Sequence, residues 1–297
     1  MALLARVTAR SVERLSSSYL RIELGGPDLV HLGVDGPTYD QRIKLVFPGP
    51  GGLPVLGQES WWADFCALPE AERGHVRTYT IREVRGSAGA PTIVVDFVLH
   101  PDTHGPGSSW AAEAAVGDEL LAVLPRRGEV FGGIEWAPGE ADRLLLVADE
   151  TAVPAACSIL GSLPADACGA AFLEVPEEDD VQQVAAPSGV AVRWLPRRGA
   201  PVGTLVFEAV GRHLGFPGPV ANGASVPVDP DVWETPTYSS SGEPVSSDEP
   251  AEGRYAWIAG ESGMVTALRR HLVNELGLPR RQVCFMGYWR QGVAMKA

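Results

Sequence analysis

The chain has 297 residues, 45% of them hydrophobic and 21% charged, and carries a formal net charge of −13. That composition belongs to a globular protein with room for two domains of ordinary size. The acidic balance excludes a nucleic-acid binder, which needs a basic footprint, and no apolar run reaches the length of a membrane-spanning helix, so no integral membrane association is expected.

The N-terminal stretch Met1–Leu15 is interrupted by Arg6, Arg10, Glu13 and Arg14. It lacks the apolar segment of an export signal, so a cytoplasmic location is the expectation. The first 135 or so residues then read as antiparallel β-structure. Short runs rich in β-branched and aromatic residues, at Tyr19–Leu24, Arg42–Phe47, Val76–Val84, Thr92–Leu99 and Glu119–Leu124, are separated by turn clusters such as Gly25-Gly26-Pro27-Asp28 and Pro48-Gly49-Pro50-Gly51-Gly52. Strands at this spacing predict a small β-barrel. Trp61–Ala67 fits one turn of helix.

The pattern changes after Ala137-Pro138-Gly139. Apolar strands at Arg143–Ala148, Ala170–Val175, Val190–Leu195, Ala256–Ala259 and Val283–Tyr288 alternate with helical stretches at Ala152–Leu163, Gly203–Leu214 and Gly263–Leu276. Alternation of this kind predicts a parallel α/β sheet. The expected domains are therefore a β-barrel at 1–138 and an α/β domain at 139–297. Residues 221–252, with five prolines, seven acids and no base, read as an acidic, flexible insertion with too little apolar surface to offset its ordering entropy.

Cys66, Cys157, Cys168 and Cys284 show no C-x-x-C or zinc spacing and are expected as reduced, mostly buried thiols. No metal site is expected. If electrons move through this protein, an organic cofactor must carry them.

Two motifs carry chemistry. In Arg77-Thr78-Tyr79-Thr80, alternate strand residues share a face. Arg77 can clamp a phosphate, Tyr79 can stack on a flat heteroaromatic ring, and Thr80 can hydrogen-bond a ring nitrogen through its hydroxyl or amide. An amphipathic strand with an exposed arginine would look the same. In the second motif, Asp96-Phe97-Val98-Leu99-His100 leads to Gly105-Pro106-Gly107-Ser108-Ser109-Trp110-Ala111. A Gly/Ser loop opening a helix presents amides that suit a pyrophosphate, and a capped Gly/Pro loop would again look similar. The α/β half has no G-x-G-x-x-G after its first strand; Asp149-Glu150-Thr151 takes that turn instead. Ala259-Gly260-Glu261-Ser262-Gly263 is either a tight strand–helix turn or a seat for a nicotinamide nucleotide. Arg197 and Arg198 are either partners for a 2′-phosphate or solvated loop charges.

A barrel followed by an α/β domain is the layout of ferredoxin-reductase-like flavoenzymes, and over nearly its whole length the chain resembles the siderophore-interacting protein family. The resemblance is carried by Gln41–Pro48, Arg77–Arg82, Asp96–His100 with Gly105–Ala111, Ala148–Ala155, Trp257–Glu261 and Gly287–Gly292. It implies an FAD-dependent oxidoreductase that uses NADPH or NADH to reduce ferric siderophores. It implies FAD held by Arg77, Tyr79, Thr80, Val98, Leu99, His100, Gly107, Ser108, Ser109, Trp110, Ala111 and Thr151, with Thr80 at the reacting ring nitrogen. Gly260, Glu261 and Trp289 would complete the cofactor sites, and Lys44, Arg126, Arg127 and Arg290 would form a basic pocket for the ferric siderophore. The chain departs from the family at Leu124, where a glycine is expected, and in its long acidic insertion. Two alternatives share these motifs: a flavoenzyme with a quinone or protein acceptor, and a siderophore carrier without turnover. No motif bears on assembly, and a monomer is the simplest expectation.

Overall fold

The computed structural model describes residues 1–99, 105–216, 233–235, 238–239 and 252–292. They fall into two compact units, Met1–Ile134 and Glu135–Met295.

The first unit is one antiparallel seven-stranded sheet, curled as a half-barrel around a core. Its strands are β1 (Leu3–Arg14), β2 (Tyr19–Gly25), β3 (Arg42–Phe47), β4 (His75–Thr80), β5 (Glu83–Ser87), β6 (Ala90–Val98) and β7 (Glu119–Leu124), in the spatial order β4-β3-β7-β1-β2-β6-β5. Two short helices accompany them, α1 (Trp61–Ala67) and α2 (Pro106–Glu113). Period-two alternation builds the core: Leu3, Ala5, Val7 and Ala9 of β1 point inward beside Ile22 and Leu24, Ile43 and Leu45, Ile93 and Val95, and Leu120, Ala122 and Leu124. The central β1 is a strand that the arginine-interrupted N-terminus conceals; its register slips between Ala9 and Ser11. Leu124, where a glycine was expected, is fully buried in this core.

The second unit holds β8 (Glu140–Ala148), β9 (Gly169–Val175), β10 (Val190–Pro196), β11 (Trp233–Thr235), β12 (Tyr238–Ser239), β13 (Glu252–Glu261) and β14 (Val283–Trp289), with helices α3 (Val153–Ser162), α4 (Thr204–Leu214) and α5 (Ser262–Arg270). The sheet runs β10-β9-β8-β13-β14-β11-β12, and its first five strands are parallel. Chain order therefore reverses between β8 and β13, and that gap is the topological switch point of an open α/β sheet. The helix expected to Leu276 runs as α5 to Arg270 and finishes as a π-turn at His271–Glu275.

Most of the expected acidic insertion lies outside the described residues. Of what is described, Trp233–Thr235 pairs antiparallel with both Tyr238–Ser239 and β14. Edge pairing supplies backbone bonds that a composition-based reading of a loop does not foresee. All four cysteines are free; Cys157 and Cys284 are buried, while Cys66 and Cys168 are exposed, against the expectation of mostly buried thiols. Among the described residues no helix is long and apolar enough to cross a membrane, and no cluster of His, Cys, Asp and Glu could hold a metal.

Candidate functional site

In the first unit, β4 places Arg77 and Tyr79 on one face, each half-buried. The Tyr79 ring lies 4.5 Å from Phe97 and 6.1 Å from Phe47, and Trp110 of α2 joins them at 5.6 Å from Phe47 and 5.8 Å from Phe97. Burial holds the Tyr79 phenol protonated, its pKa above the ordinary tyrosine value. The ring is braced from behind, and its remaining surface is a platform for another aromatic ring.

Gly107, in the first turn of α2, explains how the two sequence motifs meet. A Cβ there would stand 2.1 Å from the Tyr79 hydroxyl oxygen and 3.2 Å from Phe47 Cζ. Only the missing side chain lets the helix start close onto the tyrosine. We expect Gly107→Ala to displace Tyr79 and cost about 1–3 kcal/mol by overpacking. Adding Tyr79→Phe should recover much of that loss, because it removes the clashing oxygen. Thermal melts of both variants and Tyr79→Phe form the cycle, and strictly additive losses would refute the coupling.

α2 opens with Gly105 as its cap, without any side-chain hydrogen bond, and with Pro106 next. Ser109 N donates to Gly105 O at 2.9 Å, so within the helix the amides of Gly107 and Ser108 have no acceptor. On the face of β4 that carries Tyr79, Arg77 donates one hydrogen bond, from Nη1 to Val76 O at 2.7 Å, and has no carboxylate partner among the described residues. Burial pushes its pKa below the ordinary arginine value. A half-buried cation without a carboxylate partner calls for an anion, and so do the open amides at the start of α2. Thr80 closes β4 and is buried. Val98 pairs with Tyr19, and Leu99 N donates to Ser18 O at 2.8 Å. Ser108, Ser109 and Trp110 are half-buried and Ala111 is buried. His100 lies outside the described residues.

The candidate basic residues of this unit cluster around β3 and β7. Lys44 is exposed and donates to Thr78 Oγ1 at 2.7 Å; across the sheet it stands opposite Val123. Arg126 follows the end of β7, pairs by a β-bridge with Leu32, and points Nη1 at the Met1 sulfur, 3.9 Å away. Arg127 Nε is 4.0 Å from Asp35 Oδ1 and more than half exposed. Arg290 belongs to the second unit, just past β14, and is half-buried.

The second unit holds a residue that sequence reading passed over. Asp149, at the end of β8, is fully buried. Its Oδ1 accepts from Thr151 N at 2.9 Å and Thr151 Oγ1 at 2.6 Å; its Oδ2 accepts from Glu261 N at 2.6 Å and Trp289 Nε1 at 2.7 Å. One carboxylate thus ties together the C-terminal ends of β8, β13 and β14. Burial and the adjacent Glu150 carboxylate push the Asp149 pKa up to about 7, against the pull of these donors. Three of the four donors cannot accept a proton, so a proton on Asp149 belongs on Oδ1, facing the Thr151 hydroxyl. Gly260 (φ +142°) leaves the space: a Cβ there would lie 2.5 Å from Asp149 Cγ. Thr151, Gly260, Glu261 and Trp289 were expected to face cofactors. Each meets Asp149, and an acid directly after the apolar run Leu144–Ala148 is the signal that could have revealed the hub.

A second charged knot abuts it. Glu150, buried, takes a two-pronged ion pair from Arg197, with Nη1–Oε2 at 2.5 Å and Nη2–Oε1 at 2.9 Å. Arg197 Nη1 also lies 3.5 Å from Glu174 Oε2. Burial works against the Arg197 charge, but its pairing with Glu150 and Glu174 outweighs that and raises its pKa. Arg197 is thus committed inside the fold, neither solvated nor open to a phosphate; Arg198 is exposed and pairs with Glu178.

Comparisons with known proteins agree with this architecture. Residues 141–292 match the family model described as siderophore-interacting protein, and residues 8–129 match the siderophore-interacting FAD-binding domain. The ferric vibriobactin reductase ViuB of Vibrio cholerae is 28% identical over 94% of this chain and 86% of that protein. A siderophore utilization protein from T. fusca shares the structure with a TM-score of 0.69 at 30% identity, covering 99% of this chain and 95% of that one. The ferredoxin reductase of carbazole 1,9a-dioxygenase, at 15% identity and a TM-score of 0.57, covers 96% of this chain and 67% of that one and shares the fold.

Proposed function

The chain belongs to the siderophore-interacting protein family, and from that premise we propose that it is a cytoplasmic FAD-dependent reductase that uses NADPH or NADH to reduce ferric siderophores and release Fe(II). The observation that supports this reading is the seating of the start of α2, with its open amides, on Tyr79 through Gly107, with Arg77, which has no carboxylate partner among the described residues, on the same face of β4. Those residue types fit a flavin dinucleotide: Arg77 and the Gly107 and Ser108 amides take the phosphates, and Tyr79 stacks on the ring. Thr80, Val98, Leu99, Ser109, Trp110 and Ala111 line the same region.

Bound FAD supplies a change of electron count, since a flavin takes two electrons together as hydride and gives them up singly. One NAD(P)H therefore converts two ferric chelates to two ferrous chelates, with NAD(P)⁺ and one proton as the other products. Ferrous iron is less highly charged and is held weakly by hydroxamates and catecholates, so reduction frees it. No side chain has to act as acid or base on the metal. The work of the protein is positional: Arg77 and α2 hold an anion, and Phe47, Phe97 and Trp110 keep Tyr79 in place. Lys44, Arg126, Arg127 and Arg290 raise the local concentration of an anionic chelate.

Stopped-flow spectrophotometry tests the reading. The flavin should bleach with NAD(P)H and regain its colour with a ferric chelate. A flavin that is never reoxidised by any ferric chelate, but is by a quinone or a redox protein, would move the acceptor elsewhere; a protein that binds ferric siderophore without electron transfer would be a carrier. Neutralising Lys44 and Arg290 together should raise KM for an anionic chelate by roughly 10- to 100-fold and leave flavin reduction unchanged.

A further inference from the structure

Three helices start at the C-terminal rim of the parallel sheet, α3 after β8, α4 after β10 and α5 after β13. A helix start is where a dinucleotide's pyrophosphate is ordinarily met, because its amides are unpaired and its dipole end is positive. Here the start of α4 is closed from within, and those of α3 and α5 are capped in part. At α3, Val153 N donates to Asp149 O at 2.9 Å and the next residue is Pro154, which has no amide hydrogen. At α4, the Glu174 carboxylate accepts from Gly203 N at 2.7 Å, Leu205 N at 3.1 Å and Val206 N at 3.3 Å. At α5, the Glu261 carboxylate accepts from Met264 N at 2.9 Å. The switch point between β8 and β13, where open α/β sheets take their ligands, is filled by the Asp149 carboxylate, for which Gly260 makes room. Arg197 is held by Glu150 and Glu174, and Arg198 pairs with Glu178. Among the described residues the rim thus carries the carboxylates of Asp149, Glu150, Glu174 and Glu261, with Arg197 shared between Glu150 and Glu174.

Resting on the reading of a pyridine nucleotide as donor, we propose that this chain takes the donor by its dihydronicotinamide–ribose end, and that the rim repels the donor's phosphates. It follows that NADPH has no advantage over NADH, since the extra 2′-phosphate adds only repulsion. Truncated donors lacking the adenosine half should serve nearly as well.

The test uses the full-length, flavin-loaded protein under anaerobic conditions with NADH, NADPH and reduced nicotinamide mononucleotide. Second-order rate constants for flavin bleaching should agree within about tenfold, with NADPH slowest, and added salt should speed NADPH more than the mononucleotide because it screens like-charge repulsion. Glu261→Gln keeps an oxygen for Met264 N but removes a charge, and should raise the NADPH-to-mononucleotide ratio by about 2- to 5-fold. Calorimetric titration with 2′,5′-ADP and with ADP-ribose should show no saturable binding tighter than about 1 mM. Micromolar binding of either, a preference for NADPH above tenfold, a mononucleotide rate more than about 100-fold below NADH, or an unchanged ratio in Glu261→Gln would overturn the proposal. A flavin that dithionite reduces but no dihydronicotinamide does would remove the pyridine-nucleotide reading, and the proposal with it.

Discussion

Arg77→Ala is expected to lose most of its flavin. Among the described residues the guanidinium donates one hydrogen bond, to Val76 O, and has no carboxylate to balance it. Burial already disfavours its charge, so an anionic ligand is what stabilises the side chain where it stands. A charge-assisted bond to phosphate contributes about 1.5–3 kcal/mol, and its loss weakens binding by about 10- to 150-fold. Equilibrium dialysis followed by absorbance gives the occupancy directly. Arg77→Lys should fall between, since an ammonium keeps the charge and loses the planar fork. Undiminished occupancy in Arg77→Ala would make the residue an ordinary strand arginine.

Asp149→Ala is expected to be the most destabilising single change in the second unit. It leaves two backbone amides, the Thr151 hydroxyl and the Trp289 indole N–H without their shared acceptor. Each buried donor left unmet costs about 1–3 kcal/mol. Part of that is offset because a buried charge beside Glu150 disappears, so a net loss of about 3–5 kcal/mol is expected, in the range seen when a buried charged network is broken. Asp149→Asn should recover little, because the amide turns two donor hydrogens toward groups that are themselves donors. Calorimetry would show the shift in the transition of the second unit while the transition of the first stays in place. A loss under about 1 kcal/mol would mean that the rim relaxes around the missing carboxylate.

The alternation of apolar residues made most strands legible, and the change of period near residue 137 made the two-part fold legible. β1 was not, because its inward residues Leu3, Ala5, Val7 and Ala9 include two alanines, a weak apolar signal, and Arg6 and Arg10, although they fall on the outward face, drew the eye to charge. The pairing of Trp233–Thr235 with Tyr238–Ser239 was hidden by its acidic, proline-rich surroundings. At the site, Arg77, Tyr79 and Gly107 were readable as chemistry, because a guanidinium, a phenol and a glycine before a helix each have few uses. Their contact was not, since it joins positions 28 apart through a clash that only coordinates display. Thr151, Glu261 and Trp289 were picked out by resemblance, yet the residue they share was missed: long-range hydrogen bonds to a single carboxylate leave no local periodicity.

The Asp149 hub also bears on how the chain is made. Its partners Glu261 and Trp289 follow it by 112 and 140 residues. Synthesis proceeds at about 5–20 residues per second and N-terminal segments fold first, so for several seconds a nascent chain holds the β8–β9–β10 layer with Asp149 and Glu150 side by side and only Thr151 to meet the former. β14 is made after the other strands of its sheet, and until it leaves the ribosome the carboxylate lacks its indole. A chain halted after Ile134 but before Trp289 would therefore have a complete first unit and a second that lacks a partner of its hub, a natural substrate for chaperones and proteases.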